Sequence, residues 1–187
     1  YPGCGVDTPN HSYSFSFSAR NPWTRYFSQR DEIHDYLKKV AREFGVHDRI
    51  RFNTRLTSAR WDETTKRWVA SLSTPDRDEQ VEAAVLVSAI GQLNDPSMAK
   101  FEGAEDFGGD LFHSALWPKG YSVKGKRVAV IGTGATAMQL VPSIADEVAA
   151  VTVYQRTAQW SRPVAGYSDL ITDGAQWLLA HVPFYAE

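Results

Sequence analysis

Apolar and polar positions change period along the chain, and each change marks a different element. Ile33, Tyr36, Leu37, Val40, Ala41 and Phe44 recur at helical spacing, which predicts an amphipathic helix beginning after Ser28 and stopping at Gly45. Ser28 followed by Asp31 has the form of a capping box, although Glu or Gln is the better third partner. Burial of such a stripe stabilises by ~1.5–3 kcal/mol per large side chain, so this helix needs a core to lie against. From residue 51 the period shortens. Segments 51–61, 67–73 and 81–89, separated by polar turns at 62–66 and 74–80, predict a small antiparallel meander. Residues 83–89 are continuously apolar, as expected of a strand entering a buried sheet, and end at Gly91 with Pro96 shortly after. After a linker-like stretch at 95–125, residues 127–131 read as a buried strand and 151–154 as the next one. Between them, 135–149 read as a helix with Met138, Val141, Ile144, Ala145 and Val148 on one side; Pro142 lies near enough to its start to be tolerated. Strand, glycine turn, helix and strand make one βαβ unit. Residues 1–27, rich in aromatics and broken by Pro2, Pro9 and Pro22, predict a loop-dominated segment packed on something larger, and 158–187 carry no clear pattern.

Composition narrows the classes. With 187 residues, 43% hydrophobic and 22% charged, the chain has ordinary globular usage, which excludes collagen-like, disordered and coiled-coil proteins. Twenty Lys+Arg against 22 Asp+Glu give a net charge of −2, so no basic footprint for nucleic acid is expected. No apolar run approaches the roughly 18 residues of a membrane span. The single cysteine, Cys4, excludes an internal disulfide and a C-x-x-C redox pair and fits a reducing, cytoplasmic setting; no metal site is expected. A first residue of Tyr1 instead of Met suggests that an N-terminal portion is missing.

The strongest chemical signal is Gly132-Thr133-Gly134-Ala135-Thr136-Ala137, a G-x-G-x-x-A turn between a predicted strand and a predicted helix. Gly132 permits the tight turn, Gly134 lets main chain approach a pyrophosphate, and Ala137 permits close helix–strand packing; the helix N-terminus offers free N–H groups to the anion. An NAD site places a carboxylate at the end of the second strand, whereas this chain has Gln155-Arg156-Thr157. A guanidinium there pairs with a 2′-phosphate, a charge-assisted contact of ~1.5–3 kcal/mol that favours NADP. The plainer alternatives are an ordinary glycine turn and a solvated surface arginine. Upstream, Ala89-Ile90-Gly91 with Pro96 resembles the crossing between the two nucleotide domains of flavoproteins.

Phe107-Gly108-Gly109-Asp110-Leu111-Phe112-His113-Ser114-Ala115-Leu116-Trp117-Pro118 matches, residue for residue, the F-x-G-x-x-x-H-x-x-x-W-P fingerprint of Baeyer–Villiger monooxygenases. Tyr1-Pro2-Gly3-Cys4-Gly5-Val6-Asp7 looks like the end of that family's other fingerprint, aromatic–Pro–Gly–x–x–x–Asp. With the glycine turn and Gln155-Arg156-Thr157, the resemblance runs from residue 1 to about 163. The stretch 1–17 is most similar to the 4-hydroxyacetophenone monooxygenase branch.

The resemblance implies an α/β protein with two Rossmann-like, three-layer dinucleotide domains, both incomplete. It divides the chain into the C-terminal portion of an FAD domain (1–100), a linker carrying the fingerprint (101–120) and the N-terminal portion of an NADP domain (121–187). It implies that Asp7 lies beside the flavin and helps orient the active-site arginine, and that Tyr13, Leu56 and Gln92 lie near FAD. Gly5 and Val6 approach the nicotinamide half of NADP. Residues 133–139, including Gln139, cradle its pyrophosphate beside Gly132, and Arg156 and Thr157 meet its 2′-phosphate. Phe107, Gly109, His113, Trp117 and Pro118 form the linker fingerprint, whose His113 and Trp117 couple NADP binding to domain movement. The implied reaction consumes a ketone, O2 and NADPH, and inserts oxygen to give an ester or lactone. Two alternatives remain open: a flavin-dependent N- or S-oxygenating monooxygenase, and a non-catalytic NADP-binding module. Departures from the family pattern are the missing flavin glycine motif before Tyr1, the missing arginine before Glu187, and Gly5 where many relatives carry a larger residue. They lead to the expectation of a central fragment, inactive when isolated.

Overall fold

The computed structural model describes residues 1–182 and Tyr185. The chain divides into two compact units, one made of Tyr1–Val40 with Pro96–Glu187 and the other of Ala41–Asp95. Among the described residues no helix is long and apolar enough to cross a membrane.

The first unit opens with a short helix, α1 (Asn10–Tyr13), and a 3-10 turn at Ser16–Ser18. This aromatic segment has little regular structure, and side chains supply the partners its backbone needs. Asn10, 2% exposed, donates to the Arg25 carbonyl and to Ser28 Oγ (2.6 Å each) and accepts from the Ser28 amide (3.2 Å). The Tyr36 hydroxyl accepts from the Phe15 amide (2.8 Å) and donates to the Ser18 carbonyl (3.0 Å).

Helix α2 (Arg30–Glu43) follows the predicted periodicity, with Ile33, Tyr36 and Val40 buried and Gly45 at φ +63° just beyond its end. The stripe is narrower than predicted, since Leu37 and Phe44 are exposed. The capping partner also differs. Ser28 Oγ donates to Glu32, one residue past Asp31, while Asp31 points outward to Arg30. Glu32 can serve because its other oxygen accepts from the Thr24 amide (2.6 Å), which draws the carboxylate toward the helix start.

The βαβ unit is present: β4 (Arg127–Ile131) pairs in parallel with β5 (Ala150–Tyr154), and α3 (Ala135–Ile144) connects them. The helix ends at Ile144, earlier than predicted, and buries Leu140 and Ile144 while Met138 faces out. β4 alternates exposed and half-buried positions in place of the fully buried strand expected, because only one face of this two-stranded sheet is covered. Two apolar clusters hold the unit. Val123, Leu140 and Ile144 receive Tyr1, Trp117, Tyr121, Val128 and Val148. Trp23, Ile33, Tyr36, Val40 and Ile171 receive Val6, Ala175 and Leu179. The last two come from α4 (Asp173–His181), which the sequence reading left unassigned; Thr172 caps it by accepting from the Ala175 amide (3.4 Å). Its segment is tied to residues 23–25 through Ile171 N–H to the Thr24 carbonyl (2.9 Å) and Gln176 to the Trp23 carbonyl (3.2 Å).

The second unit is the predicted antiparallel meander, β1 (Arg55–Asp62), β2 (Arg67–Ser73) and β3 (Asp78–Ala83), in the order β1-β2-β3. Residues 84–89 do not continue β3 as expected. Ala83 pairs with Trp68, the second residue of β2, so beyond it the strand offers only Arg67 to residues 84–89. Val85 and Val87 are consequently 73% and 78% exposed.

Ile144 is 1% exposed at the centre of its cluster. Ile144→Ala is expected to lower stability by about 2–5 kcal/mol, measured by urea denaturation, with Met138→Ala close to neutral.

Candidate functional site

The glycine turn lies where the parallel pair ends, with Ile131 opposite Tyr154 and the Gly132 amide donating to the Tyr154 carbonyl (2.9 Å). Gly132 has φ +107°, a backbone conformation that L side chains rarely adopt. Gly134 is the N-cap of α3 and supplies no side-chain cap, so the first amides of the helix are left without a side-chain acceptor among the described residues. A Cβ built on Gly132 or Gly134 meets nothing within 4 Å. The turn is therefore open on this side, with no neighbouring side chain packed against either glycine. Thr133 Oγ1 donates to the Thr157 carbonyl (3.4 Å) and accepts from Gln155 Nε2 (3.3 Å), joining the turn to the end of β5. Arg156 is exposed and has no ion-pair or hydrogen-bond partner among the described residues.

The segment carrying Gly5, Val6 and Asp7 lies in the same unit. Gly5 forms an antiparallel bridge with Gln29, the Val6 amide donates to the Ser28 carbonyl (3.1 Å), and the Arg30 amide donates to the Cys4 carbonyl (2.8 Å). Val6 then turns into the Trp23 cluster, and Asp7 emerges exposed with no side-chain partner among the described residues. Tyr1 donates to Gln139 Oε1 (2.9 Å); burial, helped by Cys4 and partly offset by Thr136, holds its phenol above the ordinary tyrosine range and keeps it a donor.

The linker fingerprint gains physical roles. His113 caps the turn Ser114–Leu116 by accepting from the Ala115 amide at Nδ1 (3.1 Å), which assigns the ring proton to Nε2 in the neutral form. Trp117 stands edge-on to Phe112 and Tyr121, with ring centroids 5.2 and 6.0 Å away, and packs on the α3 cluster. Gly109 lies under Phe107: a Cβ there would stand 2.8 Å from the ring. The Pro118 carbonyl accepts from the Tyr121 amide (3.1 Å).

The sequence reading missed Asp110, in the middle of that motif. Its carboxylate accepts from the Tyr121 hydroxyl (2.6 Å) and Lys126 (3.3 Å), and the Lys126 ammonium also lies 4.9 Å from the Tyr121 ring centre. No local pattern links positions 110, 121 and 126. The flavin-side candidates are divided between the units: Tyr13 belongs to the first, Leu56 and Gln92 to the second, and all three are exposed.

A family model described as flavin-binding monooxygenase-like matches residues 11–169, and the chain belongs to that family. It is 41% identical over 186 residues to an uncharacterized monooxygenase, y4iD, of Sinorhizobium fredii, covering 99% of this chain and 28% of the relative. It is 42% identical over 167 residues to a Baeyer–Villiger monooxygenase of Streptomyces coelicolor, covering 87% and 31%. Among solved structures, cyclohexanone monooxygenase from Rhodococcus sp. Phi1 bound to NADP+ superposes with a TM-score of 0.84 at 35% identity, over 96% of this chain and 34% of that one. OTEMO in complex with FAD and NADP superposes with a TM-score of 0.86 at 33% identity, over 96% and 35%. The α/β architecture is thus that of the two-nucleotide monooxygenases, and the chain spans about a third of the length of these relatives.

The Tyr121 hydroxyl, then Lys126, hold the Asp110 carboxyl below the ordinary carboxylate range. The stabilisation linked to it is complete above that range and is lost as pH falls through the lowered folded-state value. An NMR titration of the Asp110 carboxyl should give a midpoint below about 3.9, moving back up toward it in Tyr121→Phe.

Proposed function

We propose that the chain is the central part of an FAD- and NADPH-dependent monooxygenase that inserts one oxygen atom from O2 beside a ketone carbonyl, yielding an ester or lactone. The observation that carries this reading is the open cradle at 132–137: two glycines with empty space above them, an α3 N-terminus without a side-chain cap, and a free guanidinium at Arg156. Amides pointing outward from a helix start are suited to a pyrophosphate, and Arg156 to the 2′-phosphate that separates NADP from NAD. NADP named in two related structures, FAD named in one of them, and the name of the Streptomyces relative support the same reading.

In this reading the residues 132–137 hold the pyrophosphate, Arg156 and Thr157 the adenosine phosphate, and Gly5 and Val6 the nicotinamide end. Asp7 stands beside the flavin, where an exposed carboxylate without an intrachain partner is available to orient a cation from elsewhere in the protein. Tyr13, Leu56 and Gln92 are this chain's contribution to the flavin side. Bound FAD, reduced by NADPH, supplies the activated oxygen; the protein positions the reactants and limits water. Trp117 packs the linker onto the α3 cluster and His113 caps the turn that carries Trp117, and in this reading the two couple coenzyme binding to movement of the segment between the nucleotide domains. The boundaries 1–100, 101–120 and 121–187 divide the chain by these roles. A cytoplasmic setting accords with the lone Cys4.

In the full-length protein, Arg156→Ala is expected to raise the KM for NADPH by about ten- to a hundredfold, the loss of one charge-assisted contact, while leaving the KM for NADH nearly unchanged. Equal KM values for the two coenzymes in the unmodified protein would overturn the NADP assignment. A panel of ketones, amines and thioethers tests the reaction: oxygen transfer confined to nitrogen or sulfur would replace the ketone reading.

A further inference from the structure

Gln139 carries the densest set of long-range hydrogen bonds in the described chain. A glutamine amide offers two acceptor sites and two donors. Here Oε1 accepts from the Tyr1 hydroxyl (2.9 Å) and the Gly5 amide (3.4 Å), while Nε2 donates to the Gly5 carbonyl (2.9 Å) and the Tyr167 hydroxyl (3.3 Å). All four sites are engaged, and Gly5 is held by both its N–H and its C=O, as a strand neighbour would hold it. The pairing also determines the amide's orientation, because the reversed form would set donor against donor and acceptor against acceptor at Gly5.

A second contact fastens the same strap to the same helix. Gly3, at φ +75°, lies on α3 so closely that a Cβ would fall 2.0 Å from Ser143 Oγ and 2.6 Å from the Gln139 carbonyl oxygen. Ser143 Oγ is itself donating to that carbonyl (2.7 Å). Residues 3–5 are thereby pinned to the second and third turns of the helix whose first turn forms the phosphate cradle. Immediately after, Val6 is anchored in the Trp23 cluster and Asp7 emerges exposed.

We infer that Gln139 is a positioning residue, not a coenzyme ligand: it clamps the strap at residues 1–5 onto α3 and so sets the distance between the pyrophosphate cradle and the Gly5–Asp7 end that receives the nicotinamide. The inference rests on the NADP reading given above for the two ends of the site. The amide has no hydrogen-bonding capacity left for a phosphate or carboxamide unless the clamp opens. Its consequence is selective. Loss of the clamp loosens the nicotinamide end, whereas the adenosine end, held by Arg156 and Thr157, is left as it was.

The test uses the full-length protein and Gln139→Ala, Tyr1→Phe and the double variant. Hydrogen–deuterium exchange without nucleotide reads the clamp directly: Gln139→Ala should speed exchange at the Gly5 amide, and unchanged exchange there overturns the clamp. The KM for NADPH should rise by about tenfold in Gln139→Ala, the scale of a lost set of neutral hydrogen bonds, while affinity for 2′,5′-ADP, which lacks the nicotinamide half, stays within about twofold. Tyr1→Phe should raise the KM less, and the double variant should be no worse than Gln139→Ala, since both act through one strap. Fully additive effects would mean that Gln139 touches the coenzyme itself and would overturn the inference. Faster exchange with an unchanged KM would overturn the positioning role. An unmodified protein that binds neither NADPH nor 2′,5′-ADP would overturn the functional reading and the coenzyme half of this inference, while the exchange at Gly5 still decides whether the clamp exists.

Discussion

A helix must leave its first amides without intrahelical acceptors, and in α3 that requirement organises the molecule around it. Gly134 provides no capping oxygen, and the turn beside the start of the helix is open at Gly132 and Gly134. A side-chain cap would satisfy one of those amides locally and close the space that the proposed pyrophosphate site requires. The uncapped start of α3 is tolerated because the rest of the helix is secured by Leu140 and Ile144 in the core.

The same helix serves as a spine for parts that are distant in sequence. Tyr1 and Trp117 pack on its cluster, and Gly3 lies against its backbone. The fingerprint residues are therefore less separate than their spacing suggests. Trp117 and the strap at residues 1–5 both report to α3, one through apolar contact and the other through Gln139. Segments 1–5 and 117–121 are thus both in contact with the helix that begins at the glycine turn.

Much of the fold was legible because its determinants are local. The stripe of Ile33, Tyr36 and Val40, the strand runs of the meander, and the glycine turn before Ala135 each carry their signal within a few residues. The discrepancies share one origin. Residues 84–89 have the composition of a buried strand, but a strand needs a partner edge, and the β2 ladder ends at Arg67. Ser28 meets Glu32 rather than Asp31 because Thr24, on a neighbouring loop, draws the carboxylate there.

By itself, the sequence determined the class of elements, the glycine turn between β4 and α3 and the family fingerprints, since periodicity and glycine placement act over one or two turns of chain. Only the tertiary structure decided that Asn10 is a buried hub, that Asp110 is held by Tyr121 and Lys126, and that α4 closes over Trp23. It also brought Gln139 to Gly5, 134 positions away. Such pairings depend on the path of the whole backbone, and a side chain's own identity states what it can bond but not which partner the fold will deliver.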